Sequence, residues 1–149
     1  MDNKQKRLIK KLVHFCMIDG KITKSRVVVS QTSSRLSRTE PDVHVITLLA
    51  NAIENVKPTR EVKKVRIAGT TRNVPKIIAK ERQETLAFRR IMEAAVKRRT
   101  MSRNSQSLDQ CLSAEIPDAY QRKGNVRKRR DDLHKPAEAN RSFAHYRWR

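Results

Sequence analysis

A chain of 149 residues with 35 Lys and Arg against 15 Asp and Glu carries a formal charge of +20, and its pI lies near 11.0. That length suits one domain, but 37% hydrophobic and 4% aromatic content leave a modest core under a cationic surface. Self-repulsion of this size asks for a polyanion, and nucleic acid fits where a membrane does not: no apolar run nears the ~20 residues of a span, and no basic stretch has an interfacial helix's aromatic face.

No signal-peptide core precedes Lys4, so the chain is expected to work in the compartment where it is made. The first segment sets Leu8, Leu12, Phe15 and Cys16 at helical spacing and stops at Gly20. A second helix is expected over Lys24 to Leu36, despite the β-branched run Val27, Val28 and Val29. Thr39 with Asp42 three residues on gives a weak capping box for a third helix. Its apolar stripe is Val43, Ile46, Leu49, Ala50 and Ile53, and Pro58 closes it. From Glu61 to Ala79, Val62, Val65 and Ile67 lead into Gly69-Thr70-Thr71-Arg72 and on to Val74, Ile77 and Ile78, the pattern of a β-hairpin. Its cations Lys63, Lys64, Arg66, Arg72, Lys76 and Lys80 are too many for a buried sheet. Pro75 is tolerable in a ribbon with free edges. A lone ribbon is marginal in water, so this one should order against something else.

Residues 81–99 form the strongest helix of the chain, free of Gly and Pro. Ala87, Ile91 and Ala94 make one apolar line with Phe88, Met92 and Ala95 beside it, and Arg89, Arg90, Lys97, Arg98 and Arg99 make the wet face. Thr100 to Ser107 reads as a polar loop. A fifth helix is expected from about Leu108 to Lys123 with Pro117 inside it, Arg122 and Lys123 suiting its C-terminus and Gly124 ending it. A sixth begins near Asn125 and runs toward the tail, with Pro136 as a kink point. The sum is a mainly α fold in one domain, a bundle of about six helices with one protruding basic β-hairpin (the arm, about 61–79) between helices three and four. A basic C-terminal helix and tail cover about 125–149.

Catalytic patterns are missing. Three dispersed glycines cannot build a phosphate loop, and no GxSxG, HExxH or Cys/His signature exists. Cys16 and Cys111 sit far apart in helical apolar patterns and read as buried, inert thiols. His14, His44, His134 and His145 show no ligand spacing, so neither a metal nor another cofactor is expected. Asp131 and Asp132 beside His134 resemble an acid/base cluster, but they follow Arg127, Lys128, Arg129 and Arg130 and read as their charge partners. The expectation is a binding protein and not an enzyme. Its tail, HKPAEANRSFAHYRWR, crowds Phe143, Tyr146 and Trp148 among Arg141, His145, Arg147 and Arg149. Rings stack on bases and Arg binds phosphate, which points to RNA; the alternative is rings docked on the protein's own core.

Four collinear blocks carry a family resemblance: MIDGK (Met17 to Lys21), AIENVKPTREVKKVRIAGTTRNVP (Ala52 to Pro75), LAFRRIMEAAVKRR (Leu86 to Arg99) and KGNVRKRRDDLHKPAEANRSFAHYRW (Lys123 to Trp148). Together they resemble small-subunit ribosomal protein seven, in that family's order. The resemblance spans about Leu8 to Trp148 and is weakest across Ser25 to Val45 and Met101 to Cys111. It implies a helical bundle with an extended ribbon that binds the lower 3′ major domain of small-subunit ribosomal RNA and nucleates the subunit head. It also implies a place at the exit site near transfer RNA and messenger RNA, among neighbouring small-subunit proteins and away from membranes.

Through the resemblance, Lys21, Lys24 and Arg26 match an RNA-facing region. Lys63, Lys64, Arg66 and Lys76 on the ribbon, with Arg82, Arg89 and Arg90, are expected to form a second contact surface. Arg98, Arg99, Arg103, Arg127, Lys128, Arg129 and Arg130 would extend it. Phosphate contacts of this kind give affinity and carry no sequence information. Gly69, Thr70, Thr71 and Arg72 at the hairpin, with Tyr146, Arg147 and Trp148 in the tail, are the exit-site candidates. Phe143 and Trp148 are expected to pack on protein, leaving Tyr146 and Arg147 for RNA.

The chain departs from the pattern in places. The long basic N-terminal arm of bacterial members is replaced by Met1 to Lys11, and nothing extends beyond the Arg-Trp tail. Arg72 stands where many relatives carry Tyr, Pro117 and Pro136 stand where they carry helix formers, and the polar residues from Arg103 to Gln106 have no bacterial counterpart. Such a short form looks most like the version encoded in mitochondrial genomes, which sets the expected location at the mitochondrial ribosome, with bacterial cytoplasm or plastid as alternatives. The rival functions are a DNA-architectural protein with a basic β-ribbon arm and a free RNA-binding translational repressor.

Overall fold

Among the described residues, apolar side chains at helical spacing gather six α-helices around one core, and a two-stranded ribbon leaves it between the third and fourth. The computed structural model describes residues 3–102 and 106–146. In chain order these are α1 (Asn3–Cys16), α2 (Ile22–Thr39), α3 (Val45–Val56), β1 (Arg60–Ile67), β2 (Thr70–Ile77), α4 (Lys80–Met101), α5 (Leu108–Tyr120) and α6 (Gly124–Ala139), followed by a 3-10 segment, η1 (Arg141–Tyr146). Helix α5 packs against α2, α3, α4 and α6 and so occupies the middle of the bundle.

The core is built from the expected lines. Leu8, Leu12 and Cys16 of α1 meet Leu48, Ala52 and Ile53 of α3, Ala87, Phe88, Ile91, Ala94 and Ala95 of α4, and Leu112 and Ile116 of α5. Phe88 is fully buried, and its ring stacks on Phe15 with centroids 5.6 Å apart. Burying a side chain of that kind stabilises by about 1.5–3 kcal/mol. Both cysteines are free and buried. Burial pushes the Cys16 thiol up to about 11, and its Sγ donates to Met92 Sδ at 3.5 Å, as an inert core thiol would.

Several boundaries differ from the expectation, each for a visible reason. Helix α2 runs on to Thr39, and inside it the hydroxyls bond back to carbonyls one turn earlier and do not compete for the backbone outside it, Thr32 to Val28 and Thr39 to Arg35 among them. Thr39 is therefore the end of α2, and the expected Thr39–Asp42 capping box does not open α3. Instead His44 caps α3, its Nδ1 accepting from the Ile46 N–H at 3.3 Å. Helix α5 stops at Tyr120, short of Lys123, and Arg122 takes the left-handed conformation (φ 59°) as the chain turns. Gly124 then opens α6 at φ 84°, where a Cβ would lie 3.3 Å from the Cβ of Asp118. Pro117 and Pro136 break neither helix: each sits in a last turn, and its carbonyl still accepts the N–H of Gln121 or Asn140. Helix α6 ends at Ala139, so the tail is a separate short segment and not its continuation.

Asn55, one residue from the end of α3, joins three helices. Its Nδ2 donates to the Tyr120 carbonyl at 2.9 Å and approaches that of Ala119 at 3.4 Å, which caps the exposed carbonyls of α5. Its Oδ1 accepts from Arg122 Nε at 3.3 Å. Its backbone carbonyl accepts from Arg127 at 3.0 Å and Arg130 at 2.7 Å on α6. The Asn55→Ala variant should lose about 1–3 kcal/mol of stability in urea denaturation, because the α5 carbonyls lose their donor in a half-buried place. A variant as stable as the parent would contradict this role.

Candidate nucleic-acid interface

The ribbon pairs β1 and β2 antiparallel from Arg60↔Ile77 to Ile67↔Thr70. A two-residue turn joins them, with Ala68 at φ 46° and Gly69 at φ 83°. Two successive left-handed residues give the type I′ twist that matches the strands. The tip is therefore Ala68–Gly69, and Thr70, Thr71 and Arg72 lie on β2, Arg72 facing Val65 in the register. At the base, Val74, Pro75 and Ile78 are buried, whereas Thr70 to Asn73 are exposed. Helix α6 packs on both strands and η1 packs on β2, which is what orders a ribbon that would be marginal alone.

Side chains alternate faces along a strand, so neighbours Lys63 and Lys64 point to opposite sides of the ribbon. Lys63, Lys64, Arg66 and Lys76 are exposed, and none has an acidic partner among the described residues. Arg82 differs: it reaches Glu61 at 3.3 Å and braces α4 against the ribbon. Arg72 lies with its guanidinium 5.0 Å from the centroid of Phe143. The Phe143 ring in turn stacks near Tyr146 at 6.2 Å. Hairpin and tail, far apart in sequence, are thus brought together.

The cations of α6 divide by direction. Arg127 and Arg130 hold the Asn55 carbonyl, and Asp131 lies 3.5 and 3.8 Å from them. Arg129 pairs with Glu93 at 3.0 Å, while Arg90 donates to the Arg129 carbonyl at 2.8 Å. Lys128 is exposed without an acidic partner among the described residues, as are Arg89 and Arg99 on α4. Arg98 lies between Glu115 at 2.7 Å and Asp118 at 2.8 Å. Burial works against its charge, but the two carboxylates outweigh burial and hold the guanidinium charged. Lys24 and Arg26 are exposed in the first turns of α2, and Lys21 lies 3.7 Å from Asp19. Helix α2 packs on α1, α3 and α5 and reaches neither ribbon nor α6. The structure therefore does not bring these three to the ribbon's side. Arg103, Arg147 and Trp148 lie outside the described residues.

Sequence reasoning missed the parts that Asn55 and His134 play at the ribbon's root. The signal for Asn55 was present in its place before Lys57-Pro58, where a helix end needs a polar partner. His134 Nε2 accepts from the Thr59 N–H at 3.1 Å, just ahead of β1. Burial first, and then the charge of Arg130, push the imidazole below its usual range, with Asp131 and Glu138 opposing.

A family model described as ribosomal protein S7p/S5e matches residues 2–141. The small ribosomal subunit protein uS7m of Marchantia polymorpha is 66% identical over 148 residues, which cover 99% of this chain and 63% of that relative. The protein of the same description from Arabidopsis thaliana is 54% identical over 148 residues, covering 99% and 97%. Small ribosomal subunit protein uS7 of Vibrio campbellii is 39% identical over 142 residues, covering 95% and 86%. The chain thus spans less than two thirds of the Marchantia relative's length and nearly all of the Arabidopsis one.

A histidine with a lowered folded pKa contributes stability above its unfolded pKa, and that contribution is lost as pH falls toward the folded value. Urea midpoints taken between about pH 7 and about pH 5 should therefore drop more steeply in the parent than in the His134→Gln variant. Parallel profiles would show that the Thr59–His134 bond does not hold the neutral ring.

Proposed function

The chain belongs to the ribosomal protein S7p/S5e family, and on that premise we propose that it is a structural constituent of the small subunit of the mitochondrial ribosome, where it binds ribosomal RNA. Its target is the lower 3′ major domain, its early binding nucleates the subunit head, and its ribbon and tail line the exit site near transfer RNA and messenger RNA. The mitochondrial setting rests on the uS7m relatives.

One observation carries the RNA reading: ribbon, α6 and η1 pack as one body and hold out Lys63, Lys64, Arg66, Lys76 and Lys128 without acidic partners among the described residues. Unpaired cations on rigid elements are what phosphate contact requires, and shape then supplies recognition. Lys21, Lys24 and Arg26 on the α1–α2 side, with Arg89 and Arg99 on α4, add a further contact area. Arg82, Arg90, Arg98, Arg127, Arg129 and Arg130 have internal partners; each reaches RNA only with donors left over from those bonds. The turn at Gly69, with Thr70, Thr71, Arg72 and the tail ending in Tyr146, Arg147 and Trp148, faces the exit-site RNAs. Neighbouring small-subunit proteins complete the surroundings. A DNA-architectural role is less well supported, because this ribbon is rooted in its own chain and needs no second copy to order it.

In a sucrose gradient of organelle lysate the protein should co-migrate with small ribosomal subunits; recovery with DNA or in the soluble fraction would overturn the reading. With a transcript of the 3′ major domain, log affinity should fall with log salt by roughly 0.7–0.9 for each phosphate neutralised. A flat salt response would be incompatible with it.

A further inference from the structure

Helix α1 carries cations in places that the folded protein itself does not reward. Its inner face is Leu8, Leu12, Val13 and Cys16. On the opposite side Lys6, Lys10 and His14 follow one another at i, i+4 and i+8, all exposed. That spacing stacks them in a single line over about 12 Å of helix. Two lysines one turn apart repel each other, and no acid among the described residues relieves them. Among the described residues the acids paired with α1 are Glu81 and Glu84 on α4, and they lie toward Arg7 and Lys11. Lys11 Nζ lies 2.6 Å from Glu84, while Lys6 and Lys10 have no acidic partner among the described residues.

The helix dipole makes the arrangement worse. The first turn of α1 contains no acidic residue, and Lys6 and Arg7 stand close behind it, near the positive end of the peptide dipoles. An external anion lying along the exposed line removes the cost. Phosphates of a nucleic-acid strand suit it: they recur along a strand at a spacing that a turn-by-turn row of lysines can follow, and each neutralised phosphate releases counterions.

We propose that the exposed line Lys6, Lys10 and His14 of α1 is a separate phosphate-contact face that lies along a strand of the small-subunit ribosomal RNA. The inference rests on the RNA-binding reading above and adds to it a surface that the ribbon, α6 and the tail do not share. Lys6 and Lys10 supply charge, and His14 supplies a ring N–H donor at the end of the row. Arg7 is held partly by Glu81 and Glu84 and borders the face.

The test combines binding with directed cleavage. The Lys6→Gln/Lys10→Gln double variant, titrated against a transcript of the 3′ major domain over a range of salt, should show a salt slope shallower by about 2 than the parent. Its melting temperature should hold or rise, because a like-charge pair has been removed; a merely structural role would lower it. In a second arm, a His14→Cys variant carries a tethered iron chelate in reconstituted small-subunit particles. The native thiols are buried, so the new cysteine is the one that reacts. RNA cuts clustered at one strand support the face. An unchanged salt slope, or cleavage of a neighbouring protein without RNA cuts, would overturn the proposal while parental binding leaves the RNA reading standing. Failure of the parent itself to bind the transcript would sink that reading instead.

Discussion

The grip of α6 on the junction between α3 and β1 is the contact from which the rest of the functional surface follows. Arg127, Arg130 and His134 recur at i, i+3 and i+7 and so share one face of α6. That face holds two points of the junction, the Asn55 carbonyl and the Thr59 N–H. The last carbonyls of α3 have no partner within their own helix, and they form the negative end of its dipole, so two guanidiniums are favoured there. The neutral imidazole a turn further on supplies the acceptor that the Thr59 N–H needs. The Thr59 carbonyl in turn receives the Ile78 N–H at 3.1 Å, closing the ribbon's base. Direction of the ribbon, and hence of every cation on it, is set at this joint.

Scarcity of acids explains where the remaining charge goes. Fifteen carboxylates cannot pair with 35 cations, and four of the buried or half-buried ones stand at joints between helices. Glu84 of α4 takes Lys11 of α1 at 2.6 Å and lies 3.8 Å from Lys57, which precedes the ribbon. The Lys11 hydrogen bond, with the charges of Lys57 and Arg7, holds its carboxyl below the usual range although burial opposes this. Asp109 of α5 takes Arg35 of α2 at 2.6 Å. Burial pushes Asp109 up, but bonds from Ser107 and Arg35 prevail and the carboxyl stays ionised. Glu115 and Asp118 of α5 take Arg98 of α4. With the interior acids engaged in this way, the outer faces of α1, α2 and the ribbon are left cationic, and the free chain's self-repulsion is relieved only by a polyanion.

The core was legible because burial imposes a period on the sequence. Ala87, Ile91 and Ala94 lie inside for the reason that their spacing suggested. The hairpin was legible too, but not its turn: Ala68 enters a left-handed conformation that favours Gly and Asn, so the eye settles on Gly69 and the residues after it. The start of α3 was missed because a histidine side chain caps it, whereas Thr39, a better capping residue by type, is held inside α2 by its bond to Arg35. The site was harder for a physical reason. An Arg that closes a helix end and an Arg that waits for phosphate look alike in a sequence. Only the fold shows that Arg127 turns inward while Lys128, its neighbour, turns out.

Function also depends on how a thin ribbon keeps its shape. Its root is buried through Val74 and Ile78, and one flank is strapped by the tail, where Arg72 lies over the ring of Phe143. An exposed cation–π contact of this kind contributes about 0.5–1 kcal/mol, enough to bias an unpaired flank but too little to lock it. The contact uses the flat face of the guanidinium and leaves its edge N–H groups available. Arg72 can therefore hold the tail and still donate to a phosphate, a combination that tyrosine at this position would not offer. The ribbon is thus fixed at its root and tethered along one strand, and its Ala68–Gly69 turn is exposed.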